Sequence, residues 1–161
     1  MTALTLSSAT DTDDLAQALA SIARPGVTVL LDGPVGAGKT TLARAAIHHL
    51  MHLHETPIEA VPSPTFTLVQ SYQVGELEIW HADLYRLTSV DELLELGLEE
   101  AFETAFCLIE WTDRMGDLAP EDALRVELAL DPANPDVRHA QIAGPASLVD
   151  TWLDQYQAQA A

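Results

Sequence analysis

Val27-Thr28-Val29-Leu30-Leu31 and, one residue on, Gly33-Pro34-Val35-Gly36-Ala37-Gly38-Lys39-Thr40 form the stretch that decides the fold. The first half is β-branched and apolar, a run suited to a fully buried parallel strand. The second half fits the pattern G-x-x-x-x-G-K-[ST]. In that pattern glycines let the backbone curl so that successive N–H groups face a phosphate chain. The lysine ammonium then reaches the β- and γ-phosphates and the hydroxyl after it can bind Mg²⁺. With glycine near 7% of residues, chance yields the pattern in roughly one chain in two hundred of this length. Downstream, Leu42, Ala46, Leu50 and Leu53 recur near helical spacing. Strand, loop and helix together aim a helix N-terminus at an anion. Lys39 is also the only lysine among seven basic side chains, the other six being arginines.

The chain has 161 residues, nearly half of them apolar, a length and composition that fit one globular domain spanning 1–161. Its net charge of −18 argues against a broad basic surface for nucleic acid or acidic lipid. Solvated carboxylates that keep the protein soluble are one explanation of that charge, and an acidic docking face is the other. Met1 to Asp14 carries no basic region and no long apolar core, so no signal peptide is expected, and no run approaches the length of a bilayer span. The single cysteine, Cys107, precludes an intramolecular disulfide and fits a cytoplasmic setting. It reads as a buried small residue rather than a catalytic thiol.

Asp11, Asp13 and Asp14 precede Leu15, Leu19 and Ile22, the pattern of a helix with an acidic first turn. His54 to Pro64 holds three prolines and predicts a loop or an edge. Phe66 to Tyr72 and Glu76 to His81 predict two strands around Gly75. Ser89-Val90-Asp91-Glu92 is a capping-box pattern opening a helix that runs to about Leu96 and stops at Gly97. Leu98 to Phe102 predicts a short helix, and Phe106-Cys107-Leu108-Ile109 a second buried parallel strand closed by Glu110. Leu124 to Leu130 and Val137 to Ala143 flank a turn-rich connection and predict a strand pair. Leu148, Trp152 and Tyr156 share one face of a final helix. The class is α/β, in layers around a mostly parallel sheet. His48 and His52 stand at i,i+4 with His49 and His54 nearby. That spacing binds zinc when a third ligand converges, and no such ligand is identifiable.

Three further stretches narrow the function: Ser63-Pro64-Thr65-Phe66-Thr67-Leu68, His81-Ala82-Asp83-Leu84-Tyr85-Arg86-Leu87 and Leu108-Ile109-Glu110-Trp111. In this order, behind GPVGAGKTTLAR on so short a chain, they closely resemble the bacterial TsaE family. That family is the ATPase component of the machinery that makes threonylcarbamoyladenosine (t6A) in tRNA. The resemblance runs from about Val27 to Trp111 and more loosely into the C-terminal strands. It implies a P-loop NTPase-like three-layer fold with a mostly parallel sheet and a C-terminal antiparallel strand pair. It further implies that ATP and Mg²⁺ sit over Val35, Gly36, Ala37, Gly38, Lys39, Thr40 and Thr41. Thr40 and Glu110 would hold the metal, with Lys39, Asp83 and Glu110 as catalytic groups. Asp83 or Glu110 would orient the attacking water, and the residues leave open which of them does so. A glutamate at the Walker-B place is longer than the usual aspartate, which implies looser coordination.

By the same resemblance Thr65 contacts Mg²⁺ or the switch loop, unless it is an ordinary strand threonine, and Arg138 approaches the nucleotide. Trp111 either shields the nucleotide or packs in the core. Arg86 either meets phosphate or a partner, or pairs with a surface acid, and Thr10 lies where the base could be touched. The implied partners are TsaB and TsaD, the pair that transfers the threonylcarbamoyl group to adenosine of tRNA. Slow ATP turnover here would reset that pair, with tRNA reached only through it and no membrane involved. A small-molecule kinase is the alternative enzyme, disfavoured because the six arginines are scattered singly rather than gathered in a lid. A GTPase is disfavoured by the absence of an N-K-x-D motif. A nucleotide-sensing module without hydrolysis is the alternative from another class.

Overall fold

The computed structural model describes residues 1–160. In chain order it runs β1 (Thr2–Leu6), α1 (Ala9–Ala20), β2 (Thr28–Asp32), α2 (Lys39–Leu53), β3 (Val69–Val74), β4 (Leu77–Asp83) and α3 (Val90–Glu95). Then come α4 (Leu98–Thr104), β5 (Phe106–Glu110), a 3₁₀ segment (Thr112–Leu118), β6 (Leu124–Leu130), β7 (Arg138–Ala143) and α5 (Ala146–Ala160). One seven-stranded sheet has the order β1-β7-β6-β2-β5-β4-β3.

The parallel centre is β6-β2-β5-β4, and the two apolar runs picked out above are its innermost strands. β6 and β7 form the expected antiparallel pair. Alternation along β2 and β5 divides the core. Val29, Leu31, Phe106 and Leu108 face α1, α2 and α5, whereas Leu30, Cys107 and Ile109 face the layer containing α3, α4 and the 3₁₀ segment. A strand buried on both faces must be apolar throughout, which is why neither run shows a polar alternation.

Two local expectations need correction, and one strand is additional to those expected. The N-terminal residues Thr2–Leu6 form an edge strand on β7, with alternating exposure over Thr2–Thr5 that a short half-buried strand requires. The first helix begins at Ala9 with Asp11 in its first turn, as expected, and Ser8 caps it by accepting from Asp11 N–H. Phe66 to Leu68 belongs to a turn rather than to β3: Leu68 adopts φ 68° and its N–H bonds the Pro64 carbonyl at 2.7 Å. Finally, Ser89 does precede α3, but its hydroxyl makes no capping bond, and Glu92 takes the hydroxyl of Thr88 instead.

Other expectations hold. Gly97, at φ 82°, separates α3 from α4. Leu42, Ala46 and Leu50 are buried along α2, although Leu53 at its end is exposed. Trp152 of α5 is fully buried and donates its indole N–H to the Leu15 carbonyl at 3.0 Å. Among the described residues no helix is long and apolar enough to cross a membrane.

Candidate functional site

β2 ends at Asp32 and the chain turns at once through Gly33 to Gly38 into α2. Gly33 sits at φ 143°, and a Cβ there would lie 2.3 Å from the Leu128 carbonyl oxygen of neighbouring β6. Only glycine permits that approach. The loop therefore folds tightly against the sheet and delivers Gly38, at φ 106°, to the first turn of α2. Among the described residues, the N–H groups of Gly36, Gly38, Lys39, Thr40 and Thr41 donate to no other part of the protein. Unpaired N–H groups at a helix N-terminus, with the positive end of its dipole, constitute an anion site.

The Lys39 side chain folds back over the loop. Its Nζ donates to the carbonyls of Gly33 at 2.6 Å and Pro34 at 2.9 Å and lies 4.3 Å from the Trp111 ring centroid. Burial holds its pKa below the usual lysine value, partly countered by the carboxylates of Glu110, Asp83 and Asp32. Trp111 is half-buried, adopts φ 61° and meets Tyr85 with ring centroids 4.8 Å apart. Asp32 fixes this turn by accepting from both the N–H, at 2.9 Å, and the hydroxyl of Thr112. Trp111 thus belongs to the cavity wall as well as to the core: it covers the ammonium by cation–π attraction.

Glu110, at the end of β5, is 1% exposed. The Thr40 hydroxyl donates to its Oε1 at 2.7 Å, and His81 Nε2 meets its Oε2 at 2.7 Å. Asp83 ends β4 directly beside it, the two residues being register partners. Asp83 Oδ2 accepts from the Thr65 hydroxyl at 3.1 Å and Oδ1 from Tyr85 N–H at 3.0 Å. Thr65 therefore lies in a turn beside Asp83 and is not a strand threonine. Arg138, at the start of β7, donates to the Gly36 carbonyl at 3.3 Å and to Pro135 and Val137 carbonyls.

These groups surround one cavity of about 750 Å³. Its lining contains Val35, Gly36, Ala37, Gly38, Lys39, Thr40, Thr41, Asp83, Glu110 and Arg138, the residues expected at the phosphates, the metal and the nucleotide from the loop and the strand ends. Thr65 and Trp111 line it too. Thr10 does not: it is an exposed residue of α1, and the N-terminal segment reaches the cavity through Ser7, Ser8, Ala9 and Thr12 instead. Arg86 lies outside as well, its guanidinium 5.3 Å from the exposed Phe66 ring. His48 meets the Glu59 carbonyl and His49 meets Asp13, so these two rings point to different partners.

Comparison with known proteins bears on this geometry. The family profile described as "Threonylcarbamoyl adenosine biosynthesis protein TsaE" matches residues 6–139. The chain belongs to the TsaE family. The tRNA threonylcarbamoyladenosine biosynthesis protein TsaE of Rickettsia bellii is 40% identical over 125 residues, covering 78% of this chain and 84% of that protein. TsaE of Bacillus subtilis is 35% identical over 117 residues, covering 72% and 70% respectively. A crystal structure of Bacillus subtilis YdiB superposes with a TM-score of 0.74 at 23% identity, covering 99% of this chain and 96% of that one, which attests the shared fold. This TsaE-family chain therefore takes part in tRNA t6A biosynthesis, and the matched span runs across the cavity-lining loop and strands.

Sequence reasoning passed over two residues. His81 was in view as the first residue of HADLYRL, but nothing local says that its ring reaches across to β5. Asp32 carries no motif signal of its own, and its partner Thr112 is 80 positions away.

Proposed function

We propose that this TsaE-family chain binds ATP with Mg²⁺ in the cavity over Gly33–Thr40 and hydrolyses it slowly, and that turnover resets the TsaB–TsaD pair. The observation that carries the reading is the convergence of Thr40 and Glu110, joined at 2.7 Å, with Asp83 alongside, beneath the N-terminus of α2. The free N–H groups of the loop would hold the phosphate oxygens. Lys39 would leave the carbonyls of Gly33 and Pro34 for the β- and γ-phosphates, which offer its charge a stronger partner.

Mg²⁺ fits the donor set, since Thr40 Oγ1 and Glu110 Oε1 are hard oxygens at the phosphate end of the cavity. When bound, the metal would neutralise charge on the phosphate oxygens. Thr40 can keep donating its proton to Glu110 while turning a lone pair outward. Asp83 would accept a hydrogen bond from the attacking water, which strikes the γ-phosphorus in line as the bond to the β–γ bridging oxygen breaks. Asp83 is tied to Thr65 and to the backbone of Tyr85, so a change at the γ-phosphate would move both loops together. A protein of net charge −18 leaves contact with tRNA to its partners.

ATP hydrolysis should be measured with Mg²⁺, alone and with purified TsaB–TsaD. We expect slow turnover that rises with the pair and falls about 100-fold or more in Lys39→Ala, the loss typical of removing a charge-stabilising donor. Asp83→Ala should retain nucleotide binding and lose turnover. Binding without turnover and without response to the pair would leave a sensing module in place of an ATPase.

A further inference from the structure

Glu110 is a long carboxylate at a position where a shorter one would be stiffer. Three side-chain torsions separate its carboxylate from the backbone, and each must be restrained if its oxygens are to hold one orientation. Both oxygens are taken, from opposite sides: Oε1 by Thr40 of α2 and Oε2 by His81 of β4. His81 is 0% exposed and comes from the strand adjacent to β5, in register with Leu108. Its other ring nitrogen, Nδ1, is buried and has no hydrogen-bond partner. A ring held only through Nε2, and buried at that, has one evident polar task.

We infer that His81 is a positioning residue: it donates from Nε2 to Glu110 and sets the carboxylate plane so that Oε1 faces Thr40 and the metal position. The inference rests on the ATP–Mg²⁺ reading above and adds to it the device that makes a glutamate serviceable there. A carboxylate accepts only, so the bond to Oε2 requires the proton on Nε2. Hydrogen-bonding supports behind a metal ligand commonly change metal affinity 10–100-fold when removed.

Three measurements test this. Calorimetric binding of ADP and of a non-hydrolysable ATP analogue, titrated against Mg²⁺, should show the half-saturating Mg²⁺ concentration rising roughly 10-fold or more in His81→Leu. Binding without Mg²⁺ should be unchanged. His81→Gln, whose amide nitrogen can occupy the place of Nε2, should recover most of the loss. Long-range ¹H–¹⁵N spectra of the wild-type protein should show His81 protonated at Nε2, with that signal displaced in Glu110→Gln. A folded His81→Leu with wild-type Mg²⁺ dependence, or a His81 ring protonated at Nδ1 alone, would overturn the assignment. If His81→Leu does not fold, the glutamine variant and the wild-type spectra decide. Absence of ATP turnover in a protein that still binds nucleotide in a Mg²⁺-dependent, His81-dependent way would sink the ATPase reading and leave this one standing.

Discussion

Lys39 carries the only ammonium side chain of the protein, and its neighbours set its state: burial disfavours the charge while Glu110, Asp83 and Asp32 favour it. The same residue-level accounting explains Gly33 and Cys107. A Cβ on Gly33 would collide with the Leu128 carbonyl, which is backbone and cannot swing aside. Gly33→Ala should cost about 2–3 kcal/mol in urea unfolding, in the range of overpacking a close-fitted site, and should also weaken nucleotide binding. Cys107 donates weakly to the Ala101 carbonyl, and burial pushes its thiol up to about 12. The native protein should therefore resist a thiol reagent at mildly alkaline pH and react promptly once unfolded. Rapid labelling of the folded protein would contradict that. The motif GPVGAGKT and the buried place of Cys107 were legible because both depend on neighbours in sequence. His81 was not, because its partner is 29 positions away.

Elements were legible in proportion to their periodicity. β2, β5 and α2 announce themselves by uninterrupted apolar runs and by helical spacing, and the β6–β7 pair by the turn residues between them. The turn at Leu68 departs from the expected strand because tertiary contacts can override strand propensity, and β1 was missed because it is a short edge strand whose partner β7 is far along the chain. The connection between β6 and β7 shows what a turn residue does when its environment completes it. Asp131 accepts from the N–H groups of Ala133 and Asn134, both at 2.9 Å, and from His139 at 2.8 Å. The bond from His139, then those two N–H groups, hold its carboxyl below the usual carboxylate pKa. A depressed folded-state pKa means stabilisation that is complete above the ordinary carboxylate range and lost as pH falls through the depressed value. Asp131→Asn should thus lower the melting temperature modestly at neutral pH. The gap should close in strongly acidic solution, where wild-type Asp131 is itself protonated. A gap that persists there would point to shape rather than charge.

Over the whole molecule, α5 and the net charge oppose one another. Trp152 binds α5 to α1, and Trp152→Ala should cost about 3–5 kcal/mol in denaturant unfolding, the usual range for deleting a buried large aromatic. The charge of −18 acts the other way through self-repulsion, so raising ionic strength from low to physiological should raise the melting temperature. A flat response would mean that the acidic side chains are too well solvated to matter. At this scale the sequence by itself determined the strand–loop–helix unit, the apolar centre of the sheet and the chemistry of the loop. Each follows from short-range geometry, from backbone curl at glycine and from the periods of strand and helix. Only the tertiary structure decided that Glu110 meets Thr40 across 70 positions, that Asp83 stands beside Glu110 and that His81 holds it. The physical reason is register. Parallel strands β2, β5 and β4 end at one level of the sheet, and their alignment is set by crossovers and core packing that no local pattern encodes.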